Sequence, residues 1–354
     1  MKFKLSFLII VLASTISLQA QTKREQIDSL LRCYYTDGKL NGSVLVSENG
    51  KIIYKNGFGY ANFEWKIKNE PDTKFKIGSC TKQFTAVLIM MLIEEGKMSF
   101  NDYISKYISE YPIEKGNKIT IHNLLSHTSG IPEYVNLPQM ESLSFKDNKP
   151  DDFIKNFWDL ELEFEPGTQL KYSNSGYFLL GIIIENITGK SYKQVITEKI
   201  FKPLAMSNSG VVNEIEILEK KAYAYTKEGD TLKVAPFIDA SGAFSAGYIY
   251  STVEDLFKWQ LALQSNTLLK KESLDKMLTL NFSRYGYGFG IINLVMKNEE
   301  NKTLYGHEGM INGFRSLIHF FREDNSSIII LDNNQNNGLY VISKDIRNIL
   351  FDGK

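Results

Sequence analysis

The chain has 354 residues, 43% hydrophobic and 12% aromatic, so it can bury a sizeable core and is not a disordered polypeptide. Lys plus Arg equals Asp plus Glu at 41 each. The first twenty residues carry Lys2 and Lys4 and no acid; without them 39 basic side chains face 41 acidic ones, a balance that leaves no electrostatic footprint for nucleic acid or an anionic membrane.

Residues 1–20 read as a secretory signal, with Lys2 and Lys4 as the charged start, Leu5 to Ile16 as the apolar stretch and Leu18-Gln19-Ala20 as the cleavage site. The apolar run is short and rich in Ser and Thr for a membrane span, so a mature chain near Gln21, periplasmic or secreted and without stable membrane insertion, is expected; a retained anchor is the alternative. Residues 21–354 show no repeat, low-complexity tract or linker and read as a single domain. A first helix is expected from Glu25 to Tyr35, then strands from Gly42 to Ser47 and Lys51 to Tyr60 around an Asn49-Gly50 hairpin turn. Phe84, Val87, Leu88, Met91 and Leu92 recur at helical spacing between Thr81 and Glu95, with Gly96 as the stop. Helices are also expected at 101–110 and 120–126, from Ser175 to Thr188, and beyond the capping boxes that begin at Ser191 and Ser251. The last hundred residues return to strands at Tyr287 to Met296, Thr303 to Gly306, Gly313 to Phe321 and Ser326 to Leu331, followed by a helix from Val341 to Phe351. Strands at both ends with helices between them predict an α+β fold: an antiparallel sheet built from both termini, flanked by helices, with an inserted, mostly helical lobe.

Three places could carry chemistry. Ser79 stands one helical turn before Lys82 at the start of an apolar helix, where the lysine can reach the serine oxygen and take its proton. Burial and the positive end of the helix both push such a lysine toward its neutral, basic form. Tyr172-Ser173-Asn174 follows a Pro-Gly turn and precedes a helix; a phenol near an ammonium has its pKa lowered and can pass protons, whereas the plain alternative is a core tyrosine and an N-cap asparagine. Gly306-His307-Glu308-Gly309-Met310 follows a strand-like run, where two glycines let a substrate approach the backbone and the Met310 N–H can serve as an oxyanion donor; the alternative is a strand crossover with a solvated histidine. His122 and His127, five residues apart with no neighbouring acids, do not make a metal site, and His319 reads as structural. Two cysteines, Cys33 and Cys80, could pair in an oxidising compartment, but Cys80 directly follows the proposed nucleophile on a buried helix, where a free, small apolar side chain is expected.

Taken together, the three elements resemble the serine β-lactamase and penicillin-binding-protein superfamily, most closely its class C β-lactamase-like branch, which also holds esterases, D-amino-acid amidases and D-Ala-D-Ala peptidases. Leu124 to Ile131, Phe164 to Gly167, Ser175-Gly176-Tyr177 and Gly247 to Thr252 match the branch too, so the resemblance spans about residues 25–350. It implies the β-lactamase/transpeptidase-like fold and a serine hydrolase working through an acyl-enzyme. Ser79 would be acylated, Lys82 and Tyr172 would share the proton transfers, and Asn174, His307 and Gly309 would bind substrate. The backbone N–H groups of Ser79 and Met310 would form the oxyanion hole. No metal or organic cofactor is implied, and the partner would be a small-molecule or peptide substrate, with peptidoglycan-derived ones among the candidates. One departure stands out: His307-Glu308-Gly309 occupies the place where relatives that act on β-lactams carry Lys-Thr-Gly. A largely neutral imidazole beside the negative charge of Glu308 favours esters or amides over substrates that need a carboxylate contact. The alternative function is a slowly acylating or non-catalytic binding or sensing protein for cell-wall fragments or β-lactams.

Overall fold

The computed structural model describes residues 22–143, 149–229, 231–335 and 338–352; the signal-like residues 1–20 lie outside them. Its centre is a six-stranded antiparallel sheet of β1 (Gly42–Glu48), β2 (Lys51–Phe58), β3 (Gly290–Val295), β4 (Asn301–Ile311), β5 (Phe314–Phe321) and β6 (Ser326–Asp332), in the order β3-β4-β5-β6-β1-β2. Both ends of the chain therefore build one sheet, with β1 seated against β6 from Gly42↔Asp332 to Ser47↔Ser327. Asn49 and Gly50, at φ of 51° and 72°, make the hairpin turn between β1 and β2, the left-handed pair that matches strand twist.

Period-two alternation splits the core into two layers. Val44, Val46, Ile328 and Ile330 face the terminal helices α1 (22–36) and α5 (Leu339–Phe351), which contribute Ile27, Leu31, Ile342 and Ile346. Leu45, Ile318, Ile329 and Leu331 face the helical lobe. There α2 (Thr81–Glu94) is buried around most of its circumference, from Thr81 through Met90, so the expected amphipathic helix is the central rod of the lobe. Around it pack α3 (Asn174–Thr188) and α4 (Val253–Gln264), whose Trp259 stacks on Phe84 at 4.1 Å between ring centroids and donates its indole N–H to Gln83.

Several expected elements differ. The helix at 101–110 is only a short turn, Ile104–Lys106, because its backbone pairs across the chain: Ile104 N donates to Ile119 O and Ile121 N to Asp102 O. The cap of α4 is Thr252, which accepts from Asp255 N, while Ser251 ends a short strand, Ile249–Ser251, paired with Phe75–Lys76. β4 runs on through His307 to Ile311, so the glycine-rich segment is itself strand, held by pairing with Phe314–Phe320 against its weak local preference. Cys80 is a buried free thiol and Cys33 an exposed one.

Candidate active site

Ser79 sits in a tight turn, Gly78–Cys80, immediately before α2, and three neighbours staple that turn in place. Ile77 N donates to Ile249 O, the Ser316 hydroxyl donates to Ile77 O at 2.7 Å, and the Cys80 thiol donates to His307 O at 3.2 Å. The contact with β4 is so close that a Cβ on Gly309 would meet Ile77 O at 2.0 Å, and one on Gly78 would meet Met310 N at 2.8 Å. Backbone packing against the Ser79 turn therefore demands glycine at 309, a constraint beyond the substrate access expected from sequence, and Gly309 also lines the cleft. Gly306 is alike: its Cβ would meet Ile318 O at 2.2 Å.

Lys82, one turn along α2, is fully buried. Its Nζ lies 2.8 Å from Ala246 O, 2.7 Å from Asn174 Oδ1 and 3.1 Å from Ser79 Oγ. Burial brings its pKa down to about 7, with Glu133 opposing the shift. Ala246 O and Asn174 Oδ1 can only accept, so they hold two N–H bonds whatever the protonation state. The remaining tetrahedral position of a neutral Lys82 is a lone pair, and it faces the Ser79 hydroxyl.

Tyr172 reaches the same point from another segment. Lys171 N donates to His127 O, Gly167 N to Thr128 O, and Ser173 N to His127 Nδ1 at 3.1 Å, so the 127–130 turn carries the tyrosine into place. His127 stacks on Tyr172 at 4.5 Å. Tyr172 lies close enough to Ser79 for the serine hydroxyl to favour its phenolate form, and its ring lies 4.8 Å from Lys82 Nζ. Tyr172 as a whole is 39% exposed and lines the cleft. Its pKa moves upward, against expectation, because desolvation of the phenol outweighs the effect of Ser79. Ser173, not Asn174, caps α3 by accepting from Gly176 N, which leaves the Asn174 amide free to face Lys82.

His307 lines the cleft with both ring nitrogens engaged. Nδ1 faces Glu308 O at 2.5 Å and Nε2 faces the Tyr285 hydroxyl at 2.9 Å. A carbonyl only accepts, so Nδ1 carries the proton and Nε2 accepts from Tyr285. Desolvation, then the nearby Lys82 charge, push the imidazole well below its usual pKa. Glu308 acts on it through its backbone carbonyl, since its side chain alternates to the other face of β4. A cleft of about 410 Å³ runs from Ser79, Tyr172 and Tyr285 along β4 past His307 and Met310.

Ser79, Lys82, Tyr172, Asn174 and His307 therefore converge, with Gly309 and Met310 as the adjoining wall. Sequence reasoning overlooked Tyr285 and Glu133, and set His127 aside as a poor metal ligand when it is a buried support of Tyr172. Its pairing with Lys171 and Ser173, far along the chain, has no short-range signature.

The beta-lactamase family model matches residues 27–349. This chain belongs to the beta-lactamase family. It is a hydrolase of that fold, 33% identical over 325 residues to the Bacillus subtilis (strain 168) protein PbpX, covering 90% of this chain and 78% of that one. Staphylococcus aureus (strain MRSA252) protein flp is 32% identical over 322 residues; the match covers 88% of this chain and only 63% of that longer protein. Among solved structures, a penicillin-binding protein from Bacillus halodurans superposes with a TM-score of 0.79 at 29% identity, covering 91% of this chain and 98% of that one.

Proposed function

We propose that this protein is an exported serine hydrolase that cleaves ester or amide bonds through an acyl-enzyme on Ser79. The observation that carries the reading is the Lys82 amine, with two N–H bonds committed to fixed acceptors and its third position 3.1 Å from Ser79 Oγ. A lysine titrating near pH 7 is matched to general-base work at neutral pH. Lys82 takes the Ser79 proton as Oγ attacks the carbonyl carbon. The Ser79 and Met310 backbone N–H groups receive the developing oxyanion, and Tyr172, as a neutral phenol, relays a proton to the leaving group and then helps deliver the deacylating water. Asn174 and His307 border the bound acyl group.

The neutral His307 supports a substrate preference. With His307 uncharged and the Arg315 charge in the same cleft facing Glu308, neutral esters and amides, including those of D-amino acids, are better matched than β-lactams or peptides that present a carboxylate. The test is to label the protein with a fluorophosphonate, locate the adduct by mass spectrometry, and assay p-nitrophenyl esters, D-amino-acid amides, D-Ala-D-Ala peptides and nitrocefin. An adduct on Ser79 with turnover of esters or amides is expected. An adduct on another serine overturns the assignment, a burst without turnover favours a binding or sensing protein, and nitrocefin as the best substrate overturns the preference.

A further inference from the structure

Glu133 is 8% exposed, and the structure around it is built rather than incidental. It closes the 127–133 segment against the start of α3, where Ser175 Oγ donates to Pro132 O at 2.7 Å and accepts from Tyr134 N at 3.0 Å. Glu133 Oε2 accepts from Asn174 N at 2.5 Å, which sets its carboxylate beside the Asn174 side-chain amide, on the side where an NH2 is favoured over an oxygen. The other end of the same amide, Oδ1, accepts from Lys82. The two ends of an asparagine amide have nearly the same shape and opposite polarity. Turned over, it would aim its NH2 at the lysine and its oxygen at the carboxylate, two repulsive contacts in place of two favourable ones.

We propose that Glu133 is a positioning residue for the lysine base: it locks the Asn174 amide with its oxygen toward Lys82 and supplies the negative charge across that amide. Other groups face Lys82 from every side: the Tyr172 and Tyr177 rings at 4.8 and 5.7 Å, the Cys80 thiol, His127 and His307. Burial drives each toward its neutral form, raising both tyrosines and Cys80 and lowering both histidines. Tyr134, which also faces Glu133, is likewise held neutral. That leaves Glu133 as the charge that opposes burial and raises the lysine's proton affinity. The carboxyl is itself raised by burial and held back by its bonds to Asn174 and Val135 and by Lys82, so the two groups titrate as a pair. Glu133 touches no reacting atom; it acts through Asn174 and Lys82.

The inference rests on Lys82 serving Ser79, and the experiment separates the two. The rate of fluorophosphonate labelling at Ser79 is measured against pH for wild type, Glu133→Gln, Glu133→Ala and Glu133→Asp, with thermal unfolding in parallel. Both neutral variants remove the charge, so whichever is folded decides the matter. A lysine deprived of its carboxylate gives up its proton more readily, so the acid limb moves down by about one pH unit, while loss of the lock lowers the plateau rate roughly tenfold or more. Glu133→Asp keeps the charge and is expected to retain the wild-type limb at a reduced plateau. A neutral variant whose limb stays at the wild-type position overturns the proposal however much its rate or melting temperature falls. So does an aspartate variant that shifts as far as the glutamine one. Wild-type protein that is not labelled at Ser79 overturns the hydrolase reading instead.

Discussion

At the scale of single residues, the site separates two groups that sequence alone treats as equals. Lys82 is brought down toward neutrality and Tyr172 is pushed up, both by burial, because desolvation disfavours an ammonium and a phenolate alike. In the proposed mechanism this makes the lysine the base and the tyrosine a proton-carrying relay. The sign for pH follows: the neutral lysine is active, so kcat/KM for a p-nitrophenyl ester is expected to rise with pH and level off above about 7, with no falling limb from Tyr172 in the range where esters are stable. A profile that falls through pH 7 to 8 would assign the base elsewhere. Lys82→Ala and Tyr172→Phe are each expected to slow acylation by roughly 10²- to 10⁴-fold. Because both act on one proton of Ser79, the double variant should lose far less than the product of the single losses. Full additivity in stopped-flow acylation would show two independent roles. His307→Lys is expected to raise turnover of carboxylate-bearing substrates relative to neutral ones by an amount equivalent to at most about 1.5–3 kcal/mol, the worth of a charge-assisted hydrogen bond. An unchanged ratio of kcat/KM between matched neutral and carboxylate-bearing esters would count against a substrate contact at His307.

At the scale of elements, the glycines of β4 show how a motif can be legible while its reason is not. Gly309 reads from sequence as space for a ligand, yet its missing Cβ is what lets β4 lie against the Ser79 turn. Gly290 lies in the same cleft with only Gly306 O near its Cβ position, at 3.4 Å. Gly309→Ala is therefore expected to cost about 3 kcal/mol or more and to displace the nucleophile turn, while Gly290→Ala should cost no more than about 1 kcal/mol. Urea unfolding of the pair checks this; equal stability with a KM defect in both would restore the substrate-space reading. The same contrast explains which elements could be read in advance. The Asn49-Gly50 hairpin, α2 with its Gly96 stop and the strands at both ends announce themselves by local pattern. The extended pairing at 102–104, the strand character of 307–311 and the support that His127 gives Tyr172 depend on partners far along the chain, which local propensity does not encode.

At the scale of the whole molecule, the two ends of the chain form one layer, and this fixes what can be removed. Lys23 Nζ donates to Glu48 Oε1 at 2.5 Å and to Leu350 O at 2.9 Å, tying α1 to β1 and to the end of α5, and Ile27 and Leu31 are buried beside it. Cleavage after Ala20 would leave every one of these contacts in place, since they are made by Lys23, Ile27 and Leu31. A chain beginning at Gln21 is therefore expected to keep these ties and to unfold cooperatively in a thermal melt, whereas a non-cooperative melt would show that the helix needs more of the chain before it. A chain beginning after residue 36 would expose the face that α1 covers and lose about 1.5–3 kcal/mol for each of Ile27 and Leu31, enough in sum to consume much of a typical domain's stability. Export is then a question of where the long form resides. Intact mass measurement of the native protein should find a chain starting near Gln21 outside the cytoplasm. Recovery of the Met1 form from the membrane fraction would mean that the apolar run is retained as an anchor.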